Sequence, residues 1–240
     1  FNMHFTSTVM HSLLGFVISL LLVFRTNTAY ERWWEGRKQW GALVNVSRNL
    51  AMKSKTFIAP NSPSVHANLM SLISLFPFVL KEHMRNANYG MLSEQLRKEL
   101  DKFRGNSMHA PNALAKEMFK QAGEALKAGN ISASQELTIL SDLKEFTDIC
   151  GACERIKKTP IPYNYNIFIK KFIFVYIVTM PIGFAVTFNY WTILVTTFTF
   201  YTLASLELIA ESIEDPFGLD PDDLPTDEIS ETIARNLLEI

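Results

Sequence analysis

The chain has 240 residues, a formal net charge of −1 and two cysteines. This length suits one large domain or two small ones, and the near-neutral balance excludes a whole-chain electrostatic attraction to nucleic acid. Two cysteines cannot build a disulfide framework, so we expect free thiols in a reducing compartment.

The first apolar block covers residues 8–24 and predicts a short membrane span. Within it, Phe16, Leu20 and Phe24 recur every four residues and therefore lie along one helical face. The spacing alone does not decide whether this face lines a pore or contacts lipid. The chain starts with Phe, and no charged segment typical of a signal peptide precedes the block. We therefore expect the sequence to begin inside a longer protein.

An aromatic and basic segment, "FRTNTAYERWWEGRKQWG" at residues 24–41, follows the first block. Its tryptophans are of the kind expected in an aromatic belt at a membrane interface: Trp33, Trp34 and Trp40. Arg25 and Arg32 are seven residues apart and share a helical face. We expect them to pair with Glu31, with Glu35 or with carboxylates of the acidic segment near the C-terminus. Attraction of anions is the alternative.

The polar middle of the chain predicts helices, because apolar residues recur there at three- and four-residue spacing. Gly129 and Asn130 indicate a helix stop, and Ser132 or Ser134 is expected to cap the next helix. No segment has the alternation typical of a strand, so the predicted fold class is all-α.

Candidate catalytic and metal-binding patterns are weak in this middle region. Cys150 and Cys153 form a CxxC pair, but a zinc site needs two further ligands at matching spacing, and none is evident. We therefore expect both cysteines to serve helix packing. The five histidines are scattered along the sequence, and no Ser/His/Asp or Gly-rich phosphate-binding arrangement occurs. The sequence predicts no enzyme.

The second apolar block, residues 172–206, contains no charged residue. As one helix it would be roughly 50 Å long, whereas about 20 residues cross the hydrocarbon core. We therefore predict two spans with a turn at "NYW", residues 189–191. Lysines and arginines follow the first span and precede this hairpin, so the positive-inside rule places residues 25–171 in the cytoplasm.

Four motifs occur in the order in which the bestrophin family has them. They are "LLGFVISLLLVFRTNTAYERWWEGRKQWGALVNVSRNLA", "CERIKKTPIPY", "SLELIAESIEDPFG" and "DLP", and they extend from about Ser12 to Leu224. On these motifs the chain resembles the bestrophin family, and its bacterial branch closely. Family members begin with a basic segment and a first transmembrane helix that this sequence lacks.

The resemblance implies a homopentameric ion channel in the cell membrane that passes small monovalent ions, chloride or, in a bacterial branch, sodium. It implies an apolar pore neck at Phe16, Leu20 and Phe24, and a cytosolic aperture at Ile161. Animal members bind calcium with an acidic cluster after "PFG", which Asp220 and Asp223 match. Because leucines and prolines dilute this run, we expect capping there and no cofactor, with calcium as the alternative.

The predicted organisation has four parts: a neck helix (1–24), a large cytosolic helical module (25–171), a transmembrane hairpin (172–208), and an acidic loop with a C-terminal helix (209–240). Two other functions remain open. A transporter or membrane enzyme would need ionisable residues within its spans, and only His11 lies in a span and only the acid Glu207 lies near one. A membrane-anchored oligomeric scaffold would show no conductance.

Overall fold

The structure, a computed structural model, describes residues 3–86, 89, 92–104 and 109–240, and these form helices without a strand. The all-α expectation is confirmed. A π-helical turn, Ser54–Ile58, follows the first helix. In chain order the α-helices are α1 (Met3–Lys53), α2 (Pro63–Met84), α3 (Glu94–Arg104), α4 (Ala110–Lys127), α5 (Ala133–Lys158), α6 (Tyr163–Phe188), α7 (Trp191–Glu214) and α8 (Thr226–Leu238).

The chain divides into two compact units, and α1 contributes to both. The first unit contains Phe1–Trp34, Thr159–Pro216 and Asp220–Asp223. The second unit contains Glu35–Lys158, Phe217–Leu219 and Leu224–Ile240. The division within α1 therefore falls ten residues beyond the predicted end of the neck helix at residue 24.

In the first unit, α6 and α7 form the predicted hairpin. Its turn lies at Asn189 and Tyr190, inside the expected "NYW" break. Asn189 has a φ of 47° and a ψ of −126°, a positive-φ conformation that residues other than glycine rarely adopt, at the tight turn between the two helices. Both helices extend beyond the uncharged block. The buried cluster of this unit joins α1 to the hairpin: Ile18, Leu22, Ile169, Ile173, Tyr176 and Leu203.

Among the described residues, four helices are long and apolar enough to cross a membrane: α1, α2, α6 and α7. Exposed apolar side chains are abundant on the hairpin, where Ile182 is 78 % and Ile193 is 70 % exposed. An apolar surface of this extent needs a lipid or protein partner. Helix α2 differs, because its apolar residues form the core of the second unit, where it packs against α4 and α8.

Helix ends in the second unit follow the local sequence signals. Gly129 has a φ of 72°, its N–H donates to Leu126 O, and the Asn130 N–H donates to Ala125 O, which is a Schellman stop. Ser132 and Gln135 form a reciprocal capping box at the start of α5. The expected stop and the Ser132 cap are therefore confirmed.

The predicted aromatic belt is wrong for Trp40. This side chain is fully buried in the second unit, because its position on α1 faces the packed helices there. Trp34 is 46 % exposed, and the Trp33 Nε1–H donates to Asp222 O at 3.0 Å within the first unit. Tyr30 stacks on both rings.

Candidate functional site

The predicted neck residues lie together on an unpacked face of α1. Phe16, Leu20 and Phe24 are 68 %, 45 % and 56 % exposed in the single chain. We call these three residues the α1 apolar face. Ile18 and Leu22, on the other side of the helix, are 1 % and 2 % exposed because they pack into the buried cluster of the first unit.

The packed side of α1 is held close to α6 at Gly15. A Cβ atom at this position would lie 2.7 Å from the Tyr176 hydroxyl oxygen, too short for a van der Waals contact. Glycine therefore permits this close approach. The contact orients α1 so that its buried side faces α6 and the α1 apolar face is left uncovered.

Directly after the α1 apolar face, Arg25 points into the first unit and is 1 % exposed. Its Nη2–H donates to Glu214 Oε2 at 2.8 Å, and its Nε lies 3.7 Å from Glu207 Oε2. The expected pairing of Arg25 with the acidic segment, which begins at Glu214, is confirmed. A buried charge needs such partners. The positive charge of Arg25 is therefore balanced by carboxylates within the first unit.

Glu214 also holds the segment between α5 and α6. Its Oε1 accepts the backbone N–H of Ile161 at 2.9 Å. The Arg32 side chain donates to the backbone oxygens of Glu214 and Thr159. Together these bonds connect α1, which carries the α1 apolar face, with the predicted aperture segment and with the end of α7.

The Ile161 side chain is buried in the single chain, where it packs against Ala29 and Ala210. Its neighbours Pro160 and Pro162 are exposed. The aperture at Ile161 stays a prediction, and this burial weighs against an Ile161 side chain that projects freely from the surface.

Asp220 and Asp223 bond to each other in a turn of the first unit. The Asp220 N–H donates to Asp223 Oδ2 at 2.7 Å, and the Asp223 N–H donates to Asp220 O at 3.0 Å. The Asp223 carboxylate therefore caps the turn, because its Oδ2 accepts a backbone N–H within it. Calcium binding by these two residues stays a prediction.

The second unit brings together three polar side chains that are distant in sequence. His83 Nε2 lies 2.9 Å and His109 Nε2 lies 2.6 Å from the same oxygen, Glu154 Oε1. Burial raises the pKa of the Glu154 carboxyl, but hydrogen bonds from Lys158, His109 and His83 outweigh burial and hold the pKa at about 2. The three residues, here called the His–Glu cluster, were not apparent from the sequence because they come from α2, from the residue before α4 and from α5, which are distant in sequence.

The two cysteines have the packing role expected of them. Cys150 and Cys153 are buried and form no disulfide. Burial, and then the nearby Glu154 charge, raise the pKa of the Cys150 thiol to about 12. Burial also raises the pKa of Cys153. Thiols with raised pKa values are poor nucleophiles at neutral pH.

Comparison with known proteins gives consistent matches. The profile of the "Bacterial/Fungal Bestrophin protein" family matches residues 1–239. A voltage-dependent anion channel-forming protein of Synechocystis sp. is 34 % identical over 232 residues, which are 93 % of this chain and 74 % of that protein. The Escherichia coli protein of the same description, YneE, is 31 % identical over 233 residues, 95 % of this chain and 75 % of that protein.

Solved structures match in fold as well. A bacterial bestrophin homologue from Klebsiella pneumoniae, solved as a point variant, superimposes with a TM-score of 0.87 at 28 % sequence identity. The match covers 96 % of this chain and 86 % of that one. The helical order and the hairpin described above are therefore shared with an experimentally determined structure.

Proposed function

Because this chain belongs to the bacterial/fungal bestrophin family, we propose that it conducts ions passively through a pore whose neck is lined by the α1 apolar face. The family match makes the chain a multi-pass membrane protein and an ion channel. Beyond the family membership, we propose which residues line the pore and how many subunits surround it. Passive conduction requires no catalytic group, so no enzymatic role is proposed.

The observation that carries the proposal is the exposure of Phe16, Leu20 and Phe24. Bulky apolar side chains at four-residue spacing would form stacked rings when several copies surround one axis. A narrow apolar ring gates by dewetting, because water and ions enter it only at a cost in hydration free energy. Arg25, the next residue, is buried and paired, so it adds no free charge to the neck.

We propose a homopentamer in the cell membrane, with residues 25–171 on the cytoplasmic side. The number five rests on the bestrophin resemblance, and the topology rests on the positive-inside rule. The exposed apolar surface of the hairpin is consistent with contacts to lipid and to neighbouring copies. Native mass spectrometry of the solubilised protein should give an assembly of five protomers, and a dominant monomer or dimer would contradict the proposal.

Small monovalent ions are the proposed permeant class. The curated relatives from Synechocystis and Escherichia coli are called anion channel-forming, so anions are the first class to test. The neck face itself carries no formal charge, and selectivity must therefore arise from other residues of the pathway.

The function is tested by recording from the purified protein in a planar bilayer between solutions of unequal potassium chloride concentration. We expect discrete conductance steps and a reversal potential displaced towards the chloride equilibrium potential. Displacement towards the potassium potential would support cation conduction, tested next with sodium. A purified pentamer without any conductance would contradict the channel proposal and favour the scaffold or transporter alternative.

A further inference from the structure

The His–Glu cluster lies where three helices of the second unit meet. His83 is in the last turn of α2, His109 precedes the first residue of α4, and Glu154 is in the final third of α5. All three residues are intermediate in burial, and one ligand atom from each lies within 4.8 Å of the others. Within the described part of the chain, no other group of at least three His, Cys, Asp or Glu side chains meets this criterion.

We propose that His83, His109 and Glu154 bind one zinc ion, which joins α2, α4 and α5. Two imidazole nitrogens and one carboxylate oxygen are the ligands that zinc accepts in sites with an open fourth position. Calcium and magnesium prefer sets made entirely of oxygen. Water would occupy the fourth position. This site goes beyond ion conduction and does not depend on it.

The three ligand atoms need to move only slightly to admit a zinc ion between them. Ligand atoms at about 2.0–2.2 Å from a tetrahedral zinc ion lie about 3.4 Å from one another. The two nitrogens now lie 2.9 Å and 2.6 Å from Glu154 Oε1. Each pair therefore has to separate by less than about 1 Å. Because the imidazole centroids are only 4.4 Å apart, both rings already approach the same point.

The surrounding groups hold the carboxylate in position for this role. Lys158 Nζ donates to Glu154 Oε2 at 2.9 Å, which leaves Oε1 directed at the two histidines. The Cys150 thiol also donates to Oε1, at 3.8 Å. Three donors converge on one carboxylate oxygen, an arrangement that a single cation can replace. Partners that orient a metal ligand in this way commonly strengthen metal binding.

Zinc binding must displace a proton from His109. The His109 Nδ1 accepts the Asn112 backbone N–H at 3.2 Å and thereby caps α4, so the proton of a neutral ring is on Nε2. A neutral imidazole that binds zinc through Nε2 carries its proton on Nδ1, so the proton must move to Nδ1 through exchange with solvent, and Nδ1 can then no longer accept the Asn112 N–H that caps α4. We therefore expect zinc binding to be accompanied by faster amide hydrogen exchange in the first turn of α4.

The test uses the full chain, purified in detergent and stripped of metal with a chelator. Zinc binding is measured by competition with a chromophoric zinc chelator, with calcium and magnesium chlorides as comparison salts. We expect one zinc ion per chain and no comparable binding of the other two cations. The variants His83→Ala, His109→Ala and Glu154→Gln should each weaken zinc binding at least about tenfold.

His66→Gln is the matched control, because His66 bonds to Ser54 outside the cluster. It should bind zinc as the parent does. The proposal is overturned if the parent binds no zinc, if the three cluster variants bind it unchanged, or if His66→Gln loses as much affinity as they do. Should a cluster variant fail to fold, X-ray absorption on the zinc-loaded parent still decides, since a spectrum without imidazole ligands contradicts the site.

Discussion

The carboxylate of Glu214 accepts the backbone N–H of Ile161 at 2.9 Å. Its other oxygen accepts from Arg25 at 2.8 Å, one residue after the α1 apolar face ends. One side chain therefore ties the proposed neck helix to the predicted aperture segment. The backbone at Ile161 depends on this carboxylate, because Ile161 lies between two prolines, which have no N–H to donate.

Removing this carboxylate should release the aperture segment. Glu214→Ala leaves Arg25 buried with only Glu207 nearby and should lower stability by about 3 kcal/mol, measured by thermal unfolding in detergent. Glu214→Gln keeps an acceptor for the Ile161 N–H and should lose less. In bilayer recordings, Glu214→Ala should alter open probability more than Glu214→Gln. Equal effects of the two variants would show that the Ile161 hydrogen bond has no part in gating.

Shortening the α1 apolar face should widen the neck. Phe16→Ala, Leu20→Ala and Phe24→Ala each remove a bulky side chain from every subunit at once, so single-channel conductance should rise without a change in the sign of selectivity. The buried side provides the control. Leu22→Ala should cost about 2–5 kcal/mol of stability and leave conductance unchanged. If Leu22→Ala raises conductance while the three face variants match the parent, the other side of α1 lines the pore.

Close packing at Gly15 can be tested by a rescue experiment. Gly15→Ala places a methyl group 2.7 Å from the Tyr176 hydroxyl oxygen and should destabilise the protein by about 1–3 kcal/mol. Tyr176→Phe removes that oxygen, and the nearest remaining ring atom is 3.5 Å away. The double variant should therefore recover most of the lost melting temperature. Additive losses in the double variant would contradict this packing.

Asp227 gives the second unit a pH-dependent contribution to stability. Burial raises the pKa of this carboxyl, but hydrogen bonds from Arg85 and Lys81 outweigh burial and lower the pKa below its ordinary value of 3.8. The ionised carboxylate therefore stabilises the fold above that pH, and the contribution is lost as the pH falls through the lowered pKa. The melting temperatures of the parent and Asp227→Asn should differ at about pH 7, and the difference should shrink as the pH is lowered below 3.8 and through the lowered pKa. A constant difference would contradict the assignment.

Membrane topology is tested by cysteine labelling in intact cells. Ser134 is exposed on α5 in the predicted cytoplasmic part, and Tyr190, at the hairpin turn, is 90 % exposed. An impermeant thiol reagent should label Tyr190→Cys and not Ser134→Cys. The native cysteines, Cys150 and Cys153, are buried and should give little background. Labelling of Ser134→Cys from outside would reverse the proposed orientation.

The sequence by itself determined the features that depend on neighbouring residues. The uncharged run at residues 172–206 is too long for one membrane span and therefore predicts two apolar helices. The polar break within it predicts their turn, which lies at Asn189 and Tyr190. The stop at Gly129 and the cap at Ser132 follow from local backbone and side-chain chemistry. Four-residue spacing likewise placed the α1 apolar face, because helical geometry alone aligns these residues.

Only the tertiary structure decided which distant side chains meet. The burial of Trp40 depends on the helices that pack around it, so an aromatic-basic composition wrongly predicted an interfacial position for it. Glu214 was one of several acids available to Arg25. The histidines of the His–Glu cluster are scattered in sequence and converge because α2, α4 and α5 end or begin at one place. Spacing along a chain determines which residues share a face, whereas contacts between faces depend on how the helices pack.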